Sequence, residues 1–373
     1  MNDTICILKE LIRIDSSNPP GSEKNMVDYI ITHFQGYENL KIINHGENRA
    51  SMMIEIAGKS EDVVAVVGHM DTVPAPNPSN WKYKPFEAVA EGSNIHGRGA
   101  SDMKSGLACM ISVAKDIISN GIKPSNTLRF IFTADEECNG AGIGSFIDYG
   151  YFNDVKYLLI PEPTGDSLII KEKGALWLRL KVNGKSSHGS APELGINAIE
   201  KLYELVRDLR ALIDDGQRDE LLGKSSFALN KISGGIKTNV TADYCEAEID
   251  IRTIPLHSHD TLLNGINALI EKIEAKYVGL RVELEILNNR IPMETAESNE
   301  LVTKIKGVMK SFEYDINVKG ANFFTDGSLV LSKHDIPFVI YGPGLINQCH
   351  VDNEYLPLDT LERALNVYRK LLK

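Results

Sequence analysis

The apolar positions follow helical and strand periods in turn through the first 160 residues. Runs with a helical period alternate with short runs of β-branched residues that are typical of buried strands. The spacing predicts helices over 4–15, 26–34, 107–118 and 145–149 and strands over 51–56, 62–68, 126–133 and 155–160. Strands that alternate with helices predict an α/β unit in which helices flank a mostly parallel sheet.

The pattern changes near residue 174 and changes back near residue 290. Between these positions it predicts strands over 176–182, 227–232, 244–253 and 282–287 and helices over 197–212 and 260–277. Two helices on an antiparallel sheet make an inserted α+β domain. The first pattern then resumes with helices over 299–312 and 359–372 and a strand over 338–341. We therefore expect one α/β catalytic domain, 1–173 and 290–373, and an inserted lid domain, 174–289.

Composition narrows the function classes. A chain of 373 residues is longer than one hydrophobic core usually serves, which also favours two domains. No apolar run is long enough to cross a bilayer, and the first residues lack the features of a signal peptide. The five cysteines are scattered and never form a C-x-x-C pair, so we expect a cytoplasmic protein without disulfides. The net charge of −11, with no basic cluster, excludes nucleic acid as an expected partner.

The segment 63–74, VVAVVGHMDTVP, carries the first candidate site residues. It reads as a buried strand that ends at His69, and Asp71 follows two residues later, on the same side of an extended chain. Metal-binding histidines usually donate their second ring N–H to a carboxylate, which fixes the tautomer and the ring orientation. We therefore expect His69 to bind a metal and the carboxylate of Asp71 to orient it.

Other acidic residues stand at comparable places. Glu136 and Glu137 follow the strand over 126–133, Glu162 follows the strand over 155–160, and Asp102 lies in the loop GRGASDMK, 97–104. Ligands of open α/β sheets bind at the carboxyl ends of the strands, so these side chains should meet in one crevice. Carboxylates gathered there would repel one another strongly.

A pair of divalent cations resolves that repulsion. His350, in the segment NQCH, is the candidate for a second imidazole ligand. Imidazole and carboxylate ligands together favour zinc, with cobalt or manganese as substitutes.

Four of these segments, taken together, resemble a known family. The segments 68–74, 97–104, 135–137 and 161–164 resemble the signature motifs of the M20 metallopeptidase family, in order and across the whole chain. That family includes acetylornithine deacetylase, succinyl-diaminopimelate desuccinylase, aminoacylase and several carboxy- and dipeptidases. The resemblance implies a hydrolase with two divalent metal ions and an inserted lid.

The resemblance also implies a role for each candidate residue. Asp102 would bridge both cations, with a cis peptide bond after it. His69 and Glu162 would complete one cation site, and Glu137 and His350 the other. Glu136 would be the general base, and Asp71 would orient His69.

In the lid, the resemblance assigns three residues to the substrate. His188, in SSHGS, would reach the partner subunit's site in a homodimer and stabilise the oxyanion. Asn239 and Arg252 match substrate-contacting positions, and an arginine at a strand end suits capture of a carboxylate. Without the resemblance, a surface-loop histidine would be the preferred interpretation of His188. For Arg252, an exposed ion pair and capture of a substrate carboxylate would stand about equal.

The substrate that follows is a small N-acyl amino acid or a short peptide. The segments 342–350 and 195–200 look closest to acetylornithine deacetylase, and KEKG, 171–174, stands where the desuccinylase usually has an arginine pair. A dipeptidase or carboxypeptidase is the alternative within the family.

Two other patterns suggest different chemistry, and a non-catalytic role is a further alternative. The segment GAGIGS, 140–145, follows a strand like a dinucleotide-binding turn, but it lacks the third glycine of that motif. His257 and His259 have a metal-like spacing, and we expect a solvated loop pair there. A non-catalytic binding module is disfavoured because all five candidate ligands and Glu136 are present.

Overall fold

The computed structural model describes all residues, 1–373. The chain forms two compact units. Unit 1 comprises Met1–Ile170, Glu294–Lys319 and Thr325–Lys373, and unit 2 comprises Lys171–Met293 and Gly320–Phe324. The sequence placed residues 320–324 with the catalytic domain, whereas in the structure Gly320 packs against Leu222 of unit 2.

Nine helices form, and they are described here in chain order. They are α1 Asn2–Arg13, α2 Glu23–Ile31, α3 Lys104–Ser119, α4 Ala141–Asp148, α5 Ala198–Ile213, α6 His259–Lys276, α7 Glu300–Ser311, α8 Gly327–Leu331 and α9 Leu358–Leu371. None of them combines the length and apolar character that a bilayer crossing requires.

Sixteen strands accompany the helices. They are β1 Leu40–Asn44, β2 Ala50–Ile56, β3 Ser60–His69, β4 Val89–Glu91, β5 Asn94–His96, β6 Asn126–Thr133, β7 Val155–Ile160, β8 Leu168–Glu172, β9 Gly174–Asn183, β10 Ser226–Gly234, β11 Tyr244–Thr253, β12 Arg281–Arg290, β13 Met293–Glu294, β14 Val318–Ala321, β15 Phe338–Ile340 and β16 Tyr355–Pro357.

The large sheet has the strand order β1-β2-β6-β3-β7-β15-β8-β13, and β14 pairs with β8. The central strands β6, β3, β7 and β15 run parallel, and antiparallel pairs flank them. The last seven residues of β3 are buried, as expected for the middle of a parallel sheet covered on both faces. Helices α1 and α9 pack on α3, which is itself largely buried. The predicted α/β class is confirmed.

Unit 2 contains a four-stranded antiparallel sheet with the order β10-β11-β9-β12. Residues 176–183 of β9 alternate between buried and partly exposed positions, the period expected for a sheet with one covered face. Helices α5 and α6 pack on this sheet, and Asn197 caps α5 by accepting hydrogen bonds from two main-chain N–H groups of its first turn. Two helices on an antiparallel sheet were the predicted arrangement.

The elements that the sequence did not predict are short or lie inside loops. The segment between β3 and α3 contains β4 and β5, which form a small sheet with β16 in the order β16-β5-β4. Each of these strands has three residues, too few for a period of two to be recognised. The predictions also missed the edge strand β1 and the strands β8 and β14 beyond β7.

Candidate metal centre and active site

The parallel strands of unit 1 bring the predicted metal ligands together at their carboxyl ends. His69 is the last residue of β3 and pairs in register with Thr133, the last residue of β6. Glu136 and Glu137 follow β6 by a few residues, and Glu162 follows β7 by two. Because β6, β3 and β7 are adjacent and parallel, one crevice receives all these side chains.

Two imidazoles face the two oxygens of one carboxylate. His69 Nε2 lies 3.2 Å from Asp102 Oδ1 and 3.3 Å from Glu162 Oε1. On the other side, His350 Nε2 lies 3.3 Å from Asp102 Oδ2 and 3.1 Å from Glu137 Oε2. Asp102 therefore lies between two donor groups, each with one histidine and one further carboxylate.

This donor set fits a pair of divalent cations. Donor atoms of His69, Asp102 and Glu137 all lie within 4.8 Å of one another. Imidazole nitrogen and carboxylate oxygen are the ligands that zinc takes at catalytic sites. A carboxylate with one oxygen toward each group is suited to hold two ions at once. The peptide bond between Asp102 and Met103 is cis.

The pKa shifts of the proposed ligands in the cation-free protein show which positive charges a bound cation would replace. Burial raises the pKa of Glu162 to about 7, although His69 acts in the opposite direction. Burial also opposes ionisation of Asp102, but hydrogen bonds from His350 and His69 hold its pKa below the usual range. Hydrogen bonds to Asp102 and Glu137 raise the pKa of His350 to about 10. Protonated imidazoles therefore supply the positive charge among these carboxylates.

We expect cation binding to release protons, because a metal ligand must be a neutral imidazole or an ionised carboxylate. With a pKa raised from 6.5 to about 10, His350 is protonated at pH 7 in the cation-free protein, so the cation must displace its proton. Affinity should therefore rise with pH until pH exceeds the raised pKa. Titration calorimetry with zinc in two buffers of different ionisation enthalpy measures the released protons, and heats that do not depend on the buffer would contradict this expectation.

Asp71 contacts His69 in a different way from the one predicted. His69 Nδ1 lies 2.9 Å from the main-chain carbonyl oxygen of Asp71 and 3.7 Å from its carboxylate Oδ1. The carboxylate instead accepts hydrogen bonds from the main-chain N–H groups of Glu136, at 3.2 Å, and Glu137, at 3.1 Å. One residue thus orients the histidine through its backbone and the two glutamates through its side chain.

The position of Glu136 is compatible with action on a substrate in the same crevice. Its side chain is 5% exposed. Burial opposes protonation of His69, but nearby carboxylates, Glu136 among them, raise the pKa of that imidazole well above its usual value.

Sequence reasoning missed Asn18, which holds the carboxylate of Asp71 by a hydrogen bond. The side-chain amide of Asn18 donates to Asp71 Oδ2 at 2.9 Å and to Asp135 Oδ1 at 3.0 Å. Arg49 contacts Asp135 at 2.9 Å and Glu23 at 2.8 Å, so the loop before Glu136 is held from both sides. Nothing but the turn-forming Asn-Pro-Pro segment distinguished Asn18 in the sequence.

The predicted lid residues all lie in unit 2, where two of them are neighbours. His188 forms an antiparallel bridge with Val240, and Gly189 N–H donates to the carbonyl oxygen of Asn239 at 2.8 Å. The main-chain N–H of Ser190 donates to His188 Nδ1 at 3.2 Å. Since that nitrogen accepts, the neutral ring carries its proton on Nε2.

Arg252 lies on β11, apart from that loop pair. Its Nε lies 2.9 Å from Asp250 Oδ1. Its guanidinium also lies over the rings of Trp177, at 5.9 Å, and Phe324, at 5.6 Å. The ion pair and the aromatic contacts together fix the orientation of the guanidinium plane.

The competing patterns have structural explanations. Gly142 lies in α4, where a Cβ would approach the carbonyl oxygen of Ala134 to 2.4 Å, so close packing accounts for this glycine. The expectation that His257 and His259 are solvated is wrong, since they are 6% and 3% exposed. His257 bonds to Ser225 and Asp215, and His259 to Thr253 and Asn289; no metal-ligand geometry joins them.

Two solved structures with the same fold are described as M20 proteins. A metallo-carboxypeptidase of the M20 family from Sulfolobus solfataricus superposes with a TM-score of 0.79 at 16% identity, covering 100% of this chain and 98% of that chain. A dinuclear metal-binding peptidase of the M20 family from Bacillus subtilis gives a TM-score of 0.73 at 17% identity, with 99% and 96% covered. At these identities the likeness shows the fold alone.

Sequence relatives extend over the full length. A protein of Staphylococcus aureus strain MRSA252 named probable succinyl-diaminopimelate desuccinylase is 27% identical over 398 residues, which covers 99% of this chain and 96% of that protein. The profile described as peptidase family M20/M25/M40 matches residues 65–373, and this range includes all five candidate ligands. The chain therefore belongs to the M20/M25/M40 peptidase family, as the sequence motifs implied.

Proposed function

We propose that this metal-dependent amidohydrolase cleaves the amide bond of an N-acyl amino acid. The observation that carries the proposal is the placement of Asp102, whose two oxygens face two different imidazoles, His69 and His350. Glu162 joins the first group and Glu137 the second, so five side chains would hold two divalent cations. Zinc suits this donor set best, and cobalt or manganese would suit it as well.

Bound cations of this kind lower the pKa of a water molecule and polarise the scissile carbonyl group. Glu136 would take the proton from the attacking water and return it to the leaving amine nitrogen. It can do so because it is adjacent to the ligand Glu137 without being one of the five proposed ligands. Its main-chain N–H, held by Asp71, fixes its position in the crevice.

Unit 2 would supply the contacts to substrate. The Nε2–H tautomer of His188, favoured by the Ser190 N–H at Nδ1, is the form that can donate to a developing oxyanion. Asn239, which neighbours His188, would add a polar contact through its side-chain amide. Arg252 would bind the carboxylate of the amino-acid part, with its guanidinium already oriented by Trp177 and Phe324.

For the acyl group, the named relatives favour succinyl over acetyl. The Staphylococcus aureus relative is named a desuccinylase. The segments 342–350 and 195–200, in contrast, resemble acetylornithine deacetylase. In the segment 171–174, Lys171 pairs with Asp219 at 2.6 Å, and Lys173 donates to the carbonyl oxygen of Lys224 at 2.7 Å. An N-acyl amino acid is therefore the substrate class, and succinyl and acetyl derivatives are the first two to test.

A hydrolysis screen tests this proposal. The purified protein, loaded with zinc, cobalt or manganese, is assayed against N-succinyl and N-acetyl amino acids and against dipeptides, with the Glu136→Gln protein as the blank. We expect hydrolysis of an N-acyl amino acid with one of the three metals. Activity on dipeptides alone would replace the proposal with the peptidase alternative, and hydrolysis of none of them would contradict it.

We also propose that the protein works in the cytoplasm as a homodimer joined through unit 2. All five cysteines are free, as a reducing compartment would keep them. Strand β10 has a neighbour on one side only, and the apolar side chains of Ile232 and Ile236 on and after it are 59% and 83% exposed. An exposed edge strand of this kind can pair with its copy across a two-fold axis. Sedimentation at micromolar concentration tests the dimer, and a monomer there would contradict it.

A further inference from the structure

A buried glutamate that no motif singled out organises two of the ligand loops. Glu354 is fully buried. Its Oε1 accepts hydrogen bonds from the main-chain N–H groups of Ser101, at 2.8 Å, and Asp102, at 3.0 Å. Its Oε2 accepts from the N–H of Gly99 and from Arg98 Nη1, both at 2.9 Å. Four donors therefore converge on one carboxylate, and one of them is the backbone of the proposed bridging ligand.

Arg98 extends this contact to the loop that carries His350. It is 3% exposed, and its Nη1 also donates to the carbonyl oxygen of Val351 at 3.1 Å. Val351 directly follows His350. Two further bonds join the same segments: Gly97 N–H to the carbonyl oxygen of Glu354 at 3.0 Å, and Ser101 Oγ to that of Tyr355 at 2.8 Å.

The two proposed cation sites differ in what positions their ligands. His69 ends the buried strand β3, and Glu162 follows the adjacent strand β7, so the sheet fixes both. Asp102, which both sites share, and His350, which belongs only to the second site, lie on loops outside any strand. His350 also has a positive φ of 61° and a side chain that is 55% exposed. A residue with that backbone conformation needs support from its surroundings.

We propose that Glu354, together with Arg98, is a positioning residue for the cation site formed by Asp102, Glu137 and His350. This inference rests on the proposed function, because it presumes that those side chains hold a cation. Glu354 touches neither a substrate nor the ligand side-chain atoms. It acts by holding the backbone of Asp102 and, through Arg98, the backbone beside His350.

All four hydrogen bonds to the Glu354 side chain need an acceptor, so the amide of a glutamine cannot replace the carboxylate. In Glu354→Gln, the amide nitrogen must take the place of Oε1 or of Oε2. In the first orientation it faces the N–H groups of Ser101 and Asp102, and in the second it faces Gly99 N–H and Arg98. Either orientation sets donors against donors and leaves two buried groups without an acceptor.

The test measures cation binding rather than activity. Zinc affinity and stoichiometry are measured by titration calorimetry for the wild-type protein and for Glu354→Gln, and the visible absorption of bound cobalt reports the ligand geometry. We expect the cation at the site of Asp102, Glu137 and His350 to bind about 10- to 100-fold more weakly in the variant. This range is typical when a residue that orients a ligand is lost. The cobalt spectrum of that site should change, and Glu354→Asp, which keeps the carboxylate, should restore part of the affinity.

Arg129→Gln is the matched control. Arg129 is another buried arginine of unit 1, 5% exposed, and it pairs with Glu55 and Asp154 rather than with a ligand loop. The Arg129→Gln protein should bind both cations like the wild-type protein, whatever the effect of the substitution on the stability of the fold. Should Glu354→Gln fail to fold, Arg98→Lys removes the Nη1 group that contacts both Glu354 and Val351, and it should weaken binding of the same cation.

The outcomes separate this inference from the proposed function. Wild-type affinity for both cations in Glu354→Gln, or an equal loss in Arg129→Gln, would overturn the role of Glu354 while leaving the proposed function intact. A wild-type protein that binds no cation pair would contradict the proposed function itself.

Discussion

Replacing Glu136 with glutamine should abolish nearly all turnover while both cations stay bound. The amide is close in size to the carboxylate, but it cannot accept a proton from water. General base catalysis is typically worth about 10²- to 10⁴-fold in rate, so we expect kcat to fall by that factor. The main-chain N–H of Glu136 still donates to Asp71 in the variant, so the loop should keep its position.

The neighbouring residue provides the control for that result. Glu137 lies 3.1 Å from His350 and belongs to the proposed second cation site, so Glu137→Gln should lose cation as well as turnover. The measurements are kcat on the best substrate of the screen and metal content by mass spectrometry for both variants. Near-normal turnover in Glu136→Gln, or loss of its metal, would remove Glu136 from the role of base.

Replacing Asp102 with asparagine should have the largest effect on metal binding. The carboxylate presents Oδ1 to the His69 group and Oδ2 to the His350 group. An asparagine offers an oxygen to one group and an NH₂ to the other, so at least one cation loses a ligand. Loss of an orienting residue alone weakens metal binding about 10- to 100-fold, and loss of a shared ligand should exceed that.

Asp154→Asn is a suitable control for Asp102→Asn. Asp154 precedes β7, at the opposite end of that strand from Glu162, and pairs with Arg129 at 2.7 Å. We expect two bound zinc ions per chain in this control and one or none in Asp102→Asn, measured by dialysis against buffered zinc. Two ions bound to Asp102→Asn with unchanged affinity would show that Asp102 does not bridge them.

The sequence predicted the part of the site that depends on strand periodicity. The buried run before His69 and the runs before Glu136 and Glu162 are long enough to show where each strand ends. In a parallel sheet these ends lie at one edge, so the crevice follows from the pattern. Asp102 and His350 lie on loops, which have no period. Their convergence on the other three proposed ligands could be inferred only from the linked motifs.

Other parts of the site could not be found from the sequence because they depend on main-chain groups. The acceptor of the His69 ring N–H is the carbonyl oxygen of Asp71, and every residue carries such a carbonyl. Glu354 accepts three main-chain N–H groups, so no partner side chain marks it in the sequence apart from Arg98. The burial of His257 and His259 was missed because His257 lies in a short turn and His259 is the first residue of α6, where the apolar period of the helix does not yet show.

The most direct test is a crystal structure of the zinc-loaded protein with anomalous scattering measured at the zinc edge. We expect two peaks about 3.5–4 Å apart, the usual separation in two-metal sites, with Asp102 between them. His69 and Glu162 should bind one ion, and Glu137 and His350 the other. Absence of both peaks from this crevice, or ions bound without Asp102, would contradict the account.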